Sequence, residues 1–501
     1  MDGMFPLTFK EGFSQWWGAP PATETEHRVL SHIPYLQKPP THTQTASEPL
    51  SINPNTMSVS HADSDKAAPV TTSTDTDPWG PRTWRSQMVE LPGRNRALNE
   101  FSVERTGEQT ENNLVMLHGY GAGLGFYYKN FEPLSRPKGW QLYALDMLGM
   151  GRSSRPPFKI HAKNREEQIR EAEDWFVDSL EQWRIKKNID KFTLCGHSMG
   201  GYMAVCYALK YPGRLNKLIL ASPVGIPEDP YAVNADMPEP PESALANEFT
   251  QDQETESRQA HGADQNNFLN AKSKFDKEQQ QQAANPNRLP ANKDGQPPRK
   301  PLPKWLTTLW DANISPFSLV RWSGPLGPRL VSGWTSRRFS HLPPDEALAL
   351  HDYAYSLFRL RGSGEYVLAY VLAPGAFARS PLIKRIGDVG RGRIERPISA
   401  SAPGEPLATQ AQTVAETGVP VVLMYGENDW MDVKGGYAAK ELLDQRKQEV
   451  LKNATEEQKK AERGSAKVVI IKKAGHHVYL DNPEYFNKVM LDEMTDTANN
   501  A

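Results

Sequence analysis

Gly196-x-Ser198-x-Gly200 is the first candidate site for chemistry in this sequence, because it places a serine between two glycines where an apolar run meets a helix-forming run. This pattern, at a strand-to-helix turn, is typical of a nucleophile elbow. The turn is too sharp for side chains on its flanks, so glycine is needed there, and the serine hydroxyl stays exposed for attack on an acyl carbonyl. A glycine–serine turn without chemistry could show the same letters, but the surrounding strand and helix favour a nucleophile.

A serine hydroxyl is a weak nucleophile at neutral pH and needs a base, usually a histidine that a carboxylate orients. In sheets with a nucleophile elbow, the acid and then the histidine follow the serine along the chain. Asp429 follows one predicted strand and His476 follows the last one. We therefore predict a triad of Ser198, Asp429 and His476, with Asp432 as the alternative acid. His477 is the less favoured candidate for the base.

Attack on an ester builds negative charge on the carbonyl oxygen, and two backbone N–H groups would have to hold it. Met199, at the predicted helix start, supplies one of them. We predict the second at Tyr120, in the glycine-rich run that begins after His118. A phosphate-binding loop is the alternative interpretation of this run, but it lacks the lysine and the serine or threonine of such loops.

Composition argues against a nucleic-acid partner, a disulfide, a metal site and a membrane span. The 501 residues carry a formal net charge of −2, so nothing indicates a nucleic-acid partner. The two cysteines, Cys195 and Cys206, lie on the predicted elbow strand and its helix and are expected to be buried thiols rather than a disulfide. Neither an HExxH pattern nor paired CxxC patterns occur, so we expect no metal and no cofactor. No window of about twenty apolar residues predicts a membrane span.

Short apolar runs that alternate with helical patterns predict a mostly parallel sheet with helices on both faces. Besides the strand that leads into Ser198, the predicted strands are 114–117, 141–145, 215–220, 419–425 and 467–471. Helices are predicted over 165–183 and 347–359.

Four regions are predicted along the chain. They are an amphipathic N-terminus with a disordered tether (1–83), the first part of the core (84–227), an inserted lid (228–417) with disordered loops at 240–300 and 386–415, and the second part of the core (418–501). Within the first region, the composition of residues 20–80 predicts disorder over most of their length.

An aromatic stripe precedes the predicted tether. Phe5, Phe9, Phe13 and Trp16 are spaced so that they share one face of a helix. Two interpretations remain open for this face: it packs against its own domain, or it docks on a membrane surface.

Four motifs together resemble the α/β-hydrolase fold: the run from His118 to Gly123, Asp146-x-x-Gly149-x-Gly151-Arg152-Ser153, Gly196-His197-Ser198-Met199-Gly200 and His476-x4-Asp481. Their combination is similar to a subgroup of that family. The subgroup contains N-acylphosphatidylethanolamine lipases, a lipid-droplet lipase coactivator with reported lysophosphatidic acid acyltransferase activity, and a fungal cardiolipin-specific deacylase. The segments 362–366 and 375–382 and the tryptophan-bearing N-terminus share in this similarity.

The resemblance implies an α/β-hydrolase fold with an inserted helical lid, and it carries the triad roles onto Ser198, His476 and Asp429 or Asp432. The subgroup's acyltransferase hypothesis assigns a role to the spacing between His476 and Asp481. Because His476 already belongs to the predicted triad, we interpret Asp481 as fixing the turn after it.

From these features we predict a serine acyl hydrolase that releases fatty acid from membrane phospholipid, with a cardiolipin-type deacylase as the most specific form. The alternatives are a lysophosphatidic acid acyltransferase, a non-catalytic lipase coactivator at a lipid surface, and an esterase of small soluble esters. Four arginines are candidates for contact with a lipid phosphate or for simple solvation: Arg329, Arg337, Arg338 and Arg379. We expect peripheral attachment inside the cell, at the mitochondrion, with lipid droplets or the cytosol as alternatives.

Overall fold

A computed structural model of the protein describes residues 6–36, 70–228, 313–373, 377–396 and 412–500. The described strands are β1 (Val70–Thr72), β2 (Arg82–Glu90), β3 (Ala97–Arg105), β4 (Asn112–Leu117), β5 (Trp140–Leu145), β6 (Phe192–His197), β7 (Leu215–Ala221), β8 (Arg393–Arg396), β9 (Gln412–Ala415), β10 (Pro420–Gly426) and β11 (Ser465–Ile471). The predicted strands are confirmed, and their ends agree within two residues.

The described helices are α1 (Phe9–Trp17), α2 (Ala22–Leu30), α3 (Tyr128–Leu134), α4 (Arg165–Lys186), α5 (Met199–Lys210), α6 (Pro316–Trp322), α7 (Gly327–Arg338), α8 (Pro344–Phe358), α9 (Leu368–Val371), α10 (Val433–Lys452), α11 (Glu456–Ala461), α12 (Val478–Asp481) and α13 (Pro483–Asn500). Local capping sets the start of α4, where the Asn164 side chain accepts a hydrogen bond from the Glu167 N–H. No helix in the described ranges is both long enough and apolar enough to cross a bilayer.

Nine strands form one sheet in the order β1-β2-β3-β5-β4-β6-β7-β10-β11. The first four strands pair antiparallel, and every later pair from β5 to β11 is parallel. The carboxyl ends of the parallel strands therefore meet at one edge. Ser198 follows β6, Tyr120 lies in the loop after β4, and Asp429 and His476 follow β10 and β11. The topology thus brings the predicted site residues to a common edge of the sheet.

Two apolar cores lie on opposite faces of the sheet, because successive side chains of a strand alternate between its faces. Leu114 and Met116 of β4 belong to the core that includes α3 and α13. Val115 and Leu117 belong to the core that includes α4 and α5. The prediction of helices on both faces is confirmed.

The prediction that residues 20–80 are mostly disordered is wrong at both ends of that range. Residues 22–30 form α2, whose Val29 and Leu30 are buried against the body of the protein. β1 pairs with β2, so the large sheet begins before the predicted core boundary at residue 84. The polar composition conceals both elements, and the partner of α2, helix α8, is distant in sequence.

The prediction of a disordered loop over 386–415 is also wrong at both ends. Ile386 and Val389 are buried, and β8 pairs antiparallel with β9. The backbone of this glycine- and arginine-rich segment obtains hydrogen bonds by pairing its two ends, 393–396 and 412–415. The other predicted disordered loop, 240–300, lies outside the described residues.

The described residues 313–373 and 377–396, called the insert below, come between β7 and β10 and contain α6 to α9. The N-terminal helices pack against the insert: α1 contacts α7 and the short helix Gly324–Leu326, and α2 contacts α8. Thr25 and Ser356 share a hydrogen bond of 2.8 Å between their hydroxyls, and Leu7 N–H donates to Ser332 Oγ.

Candidate active site

Ser198 occupies a strained turn between β6 and α5. Its φ of 51° and ψ of −116° are unusual for a residue with a side chain. A Cβ on Gly196 would collide with the backbone of Gly200, and a Cβ on Gly200 would come within 2.6 Å of the His118 carbonyl oxygen. Both glycines are therefore required by close backbone approach, and the geometry is that of a nucleophile elbow.

The backbone of the glycine-rich run lies directly against the serine. A Cβ on Gly119 would be 3.0 Å from the Ser198 Cβ. Met199 is the first residue of α5, where a helix leaves its N–H without a partner inside the helix. The N–H groups predicted for the oxyanion, those of Met199 and Tyr120, thus belong to backbone on either side of the nucleophile.

His476 is paired with Asp429. The two atoms that face each other, His476 Nδ1 and Asp429 Oδ1, are 3.2 Å apart, and both side chains are buried. The Asp429 carboxylate also accepts hydrogen bonds from the N–H of Met431 and of Gly426. These donors fix the orientation of the carboxylate, which in turn orients the imidazole.

The alternative acid, Asp432, has a different role. It is the N-cap of α10, and its Oδ1 accepts a hydrogen bond of 2.9 Å from the Lys434 N–H. The structure therefore brings Asp429 to His476 and uses Asp432 to begin a helix.

A hydrogen bond from His197, the residue before Ser198, holds the backbone of His476 beside the elbow. Nε2 of His197 lies 3.0 Å from the His476 carbonyl oxygen, which can only accept, so this ring nitrogen carries the proton. Within the described part of the chain, Nε2 of His476 is buried and has no hydrogen-bond partner, so it is not bonded to Ser198 Oγ in this conformation. A buried ring nitrogen without a partner is costly, and it is the atom that a general base needs for the serine proton.

A second histidine, His118, holds the backbone at the start of the glycine-rich loop after β4. His118 Nδ1 lies 2.7 Å from the Gly119 carbonyl oxygen and donates to it, so its Nε2 accepts a hydrogen bond from the Met147 N–H. Burial lowers the pKa of His118 to about 4, which keeps the ring neutral in this arrangement.

Asp146 ties the same loop to its surroundings. This fully buried carboxylate accepts hydrogen bonds from the Leu124 N–H, the Arg152 N–H and the Asn99 side-chain amide, at 2.7, 2.7 and 2.8 Å. The sequence motif that contains Asp146 indicated the family, but its role as a support of the glycine-rich loop after β4, the loop predicted to hold the oxyanion, emerges only from these contacts.

Glu26, on α2, adds a support that was not predicted. It is fully buried, forms an ion pair with the Arg152 guanidinium, and accepts hydrogen bonds from Asn99 Nδ2 and the Tyr353 hydroxyl. Burial raises the pKa of this carboxyl, and the Arg152 charge opposes that rise. The described residues 6–36, called the N-terminal arm below, therefore reach the polar cluster behind the glycine-rich loop after β4.

We predicted that Arg338 contacts a lipid phosphate or is solvated at the surface. Both need an exposed side chain, and Arg338 is buried, so the prediction is wrong for this residue. It is buried at the end of α7, and its Nη2 and Nε lie 2.8 and 3.1 Å from Nδ1 of His477. Since Arg338 can only donate, His477 Nδ1 accepts. Burial, reinforced by the Arg338 charge, holds the pKa of His477 well below its usual range.

The other candidate arginines differ among themselves. Arg379 Nε donates to the carbonyl oxygens of Ala369 and Leu372, whereas Arg329 is exposed and Arg337 is half-buried. Of the four, Arg329 has the exposure that contact with a lipid surface requires.

Asp481 has the local role that we predicted for it. Its Oδ2 accepts a hydrogen bond of 2.8 Å from the N–H of Gly475, the residue before His476.

Among the residues that the structure describes, no histidine, cysteine, aspartate and glutamate side chains form a group of three or more that could hold a metal ion.

Residues 112–483 match the family model described as the alpha/beta hydrolase fold. The chain belongs to the α/β-hydrolase family. The predicted fold class and the family resemblance are therefore confirmed. Among solved structures, a bacterial membrane phospholipase A is similar with a TM-score of 0.43 and 15% identity, over 83% of this chain and 87% of that one.

Curated relatives of the chain are named for lipid acyl chemistry. A 1-acylglycerol-3-phosphate O-acyltransferase of Arabidopsis thaliana is 30% identical over 75% of this chain, and the match spans 65% of that protein's length. The human 1-acylglycerol-3-phosphate O-acyltransferase ABHD5 is 27% identical over 83% of this chain and 86% of its own. The human (lyso)-N-acylphosphatidylethanolamine lipase is 26% identical over 82% of this chain and 87% of its own.

Proposed function

We propose that this protein is a serine hydrolase that releases fatty acid from a membrane phospholipid. The observation that carries the proposal is the His476–Asp429 pair, whose free ring nitrogen is held next to the Ser198 elbow. This is the arrangement of base and orienting acid that activates a serine. The names of the relatives support a lipid ester as the substrate.

In the proposed reaction, Ser198 Oγ attacks the ester carbonyl carbon while His476 Nε2 takes the hydroxyl proton. The N–H groups of Met199 and Tyr120 stabilise the negative charge on the carbonyl oxygen. The tetrahedral intermediate collapses, the bond to the lysolipid oxygen breaks, and His476 gives its proton to that oxygen. Water then attacks the acyl-enzyme with His476 again as base. The bond from Ser198 Oγ to the acyl carbon breaks, His476 returns the proton to Ser198 Oγ, and the fatty acid is released.

An apolar face on the N-terminal arm and the insert supports peripheral attachment to lipid. α1 is a helix, as the spacing of Phe9, Phe13 and Trp16 predicts, whereas Phe5 of the predicted stripe lies outside the described residues. Large apolar side chains of α1, α6 and α7 are exposed to solvent. They include Phe9, Phe13, Trp16, Trp17, Trp322 and Leu330. Exposed apolar patches of this kind mark membrane or partner surfaces. The preference for a cardiolipin-type lipid and the mitochondrial location rest on the sequence resemblance.

A lysophosphatidic acid acyltransferase is the second candidate, and the relatives named 1-acylglycerol-3-phosphate O-acyltransferase favour it. The same acyl-enzyme would form on Ser198, and the hydroxyl of a lysophospholipid would then accept the acyl group in place of water.

The test is to incubate the purified protein and its Ser198→Ala variant with mixed phospholipid vesicles that contain cardiolipin. Mass spectrometry of the lipids is expected to show free fatty acid and lysolipid from the wild-type protein alone. Added lysophosphatidic acid separates the two candidates, because transfer yields phosphatidic acid in place of free fatty acid. Equal hydrolysis by Ser198→Ala would contradict both.

A further inference from the structure

We propose that Trp430 stabilises the positive charge that His476 acquires when it takes the proton of Ser198. The indole acts on the imidazolium through its π electrons, as an electrostatic partner of the base beside Asp429. The proposal rests on the proposed function of Ser198. It assigns Trp430 a positioning role, because this side chain acts on the reaction through His476.

Trp430 packs on the ring of His476. It is the residue after Asp429 in the loop that follows β10, and the centroids of its ring and of the His476 ring are 4.8 Å apart, with planes at 43°. A cation within about 6 Å of the centroid of a tryptophan ring is attracted by the negative charge of the ring face, and tryptophan binds cations better than the other aromatic side chains. A positive charge on the His476 ring therefore lies within the range of this attraction.

The loop after β10 fixes Trp430 and Asp429 together. The Asp429 N–H donates to the Gly426 carbonyl oxygen at 3.2 Å, and the Met431 N–H donates to Asp429 Oδ1 at 3.0 Å. Trp430 lies between Asp429 and Met431 in sequence, is half-buried, and packs against the core that includes α4 and α5. One turn therefore presents a carboxylate to Nδ1 of His476 and an indole to its ring.

The charged form of His476 needs this compensation because the ring is shielded from water. The side chains of His476 and Asp429 are 1% and 0% exposed. A buried charge is costly unless the protein replaces its solvation. Two other rings, those of His197 and His477, have their centroids 4.8 and 5.4 Å from that of His476. Burial holds the pKa of both well below the usual range, so these rings are neutral and add no second charge.

Arg338 opposes the charge on His476. Its guanidinium is hydrogen-bonded to Nδ1 of His477 and so brings a permanent positive charge into this group of rings. Of these neighbours, Asp429 and Trp430 favour the imidazolium and Arg338 disfavours it. Because a neutral imidazole gains little from the face of an indole, the attraction to Trp430 grows as the proton arrives on His476. Trp430 therefore lowers the barrier to attack more than it stabilises the resting site.

The test measures the second-order rate constant at which a fluorophosphonate labels Ser198 in the full-length protein. In this reaction Ser198 Oγ forms a bond to phosphorus, fluoride leaves, and His476 takes the serine proton. The rate therefore depends on the charge that forms on His476. Because the probe needs no lipid, the measurement separates the strength of the base from the binding of a phospholipid.

Fluorinated tryptophans separate the charge of the indole face from its shape. Analogues with increasing numbers of ring fluorines, up to tetrafluorotryptophan, are introduced at position 430 alone by nonsense suppression. Each fluorine withdraws electron density from the ring face and changes the size of the ring little. We expect the logarithm of the rate constant to fall with each fluorine, to a total loss of about tenfold, which is the factor that a cation–π contact at a buried site can supply.

Two substitutions give a second, coarser test. Trp430→Leu keeps an apolar side chain without π electrons and is expected to slow labelling by about tenfold or more. Trp430→Phe keeps an aromatic ring with a weaker face, and its rate is expected to lie between those of Trp430→Leu and the wild-type protein. The fluorinated series retains the indole, so it decides the question if Trp430→Leu unfolds.

The matched control is tetrafluorotryptophan at position 79. Trp79 also faces a cation, since the guanidinium carbon of Arg136 lies 4.6 Å from the centroid of its ring. It precedes β2, which β3, β5 and β4 separate from β6 in the sheet. This protein is expected to label at the wild-type rate.

A rate constant that stays the same across the fluorinated series would overturn the proposal and leave Trp430 as a packing residue. A folded Trp430→Leu that labels at the wild-type rate, or an equal loss from the analogue at position 79, would overturn it as well. Absence of labelling in the wild-type protein, or equal labelling of Ser198→Ala, would instead contradict the proposed function.

Discussion

The two sides of Ser198 are supported in different ways. On the acid–base side, Asp429 and His476 follow neighbouring parallel strands and are held by backbone donors of their own loops. On the other side, the loop that contains Tyr120 is covered by Phe317 of the insert, and Glu26 of the N-terminal arm is linked to it through Asn99 and Asp146. The predicted base and its acid are therefore held within the sheet, whereas the loop predicted to hold the oxyanion depends on segments that are distant in sequence.

The largest expected effect tests the acid–base side. Asp429→Asn is expected to lower kcat by about 10⁴-fold, because the amide cannot hold the histidine in the tautomer that accepts the serine proton. Asp432→Asn is the matched control and should change kcat little, because asparagine is also a good N-cap. Equal losses in kcat from the two substitutions would show that Asp429 does not orient His476.

The next effect tests the support of the oxyanion side. Glu26→Ala leaves the buried Arg152 guanidinium without its carboxylate and is expected to lower the free energy of unfolding by about 3 kcal/mol. Glu24→Ala, on the same helix, removes an exposed ion pair with Arg28 and should cost less than about 1 kcal/mol. Urea unfolding measures both. A small effect of Glu26→Ala would show that the arm is not part of the folded core.

The smallest expected effect on stability concerns the contact between α1 and the insert. His351 is buried there, with Nε2 3.1 Å from Gln15 Oε1, and burial lowers its pKa to about 3. In the unfolded chain, His351 takes up a proton below about pH 6.5, whereas in the folded protein its ring stays neutral. The contribution of His351 to the free energy of unfolding is therefore complete above pH 6.5 and is lost as the pH falls. Between pH 7 and pH 5, the free energy of unfolding is expected to fall by about 2 kcal/mol for one such histidine.

The corresponding measurement is the urea midpoint of the wild-type protein and of His351→Gln at the two pH values. The variant is expected to show the smaller decrease in stability between pH 7 and pH 5. An equal decrease in both proteins would mean that His351 is accessible to protons in the folded state, and that the arm does not cover it.

The sequence predicts one side of Ser198 better than the other for a physical reason. Ser198, His476 and the strands before them carry local signals: glycines at a tight turn and short apolar runs. The choice between Asp429 and Asp432 needs the geometry of one loop, because both carboxylates follow the same strand, three and six residues after its end. β1, β2 and β3 were not among the predicted strands.

Long-range packing explains the wrong predictions. Arg338 resembles a solvated arginine in sequence, yet the fold places the end of α7 against His477. α2 has a polar composition, but Val29 and Leu30 find apolar partners, and Glu26 finds Arg152, more than a hundred residues further along the chain. Such partners leave no periodic signal in the local sequence.

Mass spectrometry can show whether Ser198 carries the acyl group. The wild-type protein is mixed with vesicles of a phospholipid with isotope-labelled acyl chains, quenched in acid and digested. We expect the peptide containing Ser198 to gain the mass of one labelled acyl group, and Ser198→Ala to show neither this adduct nor labelled free fatty acid. Release of labelled fatty acid by Ser198→Ala at the wild-type rate would mean that Ser198 is not the nucleophile.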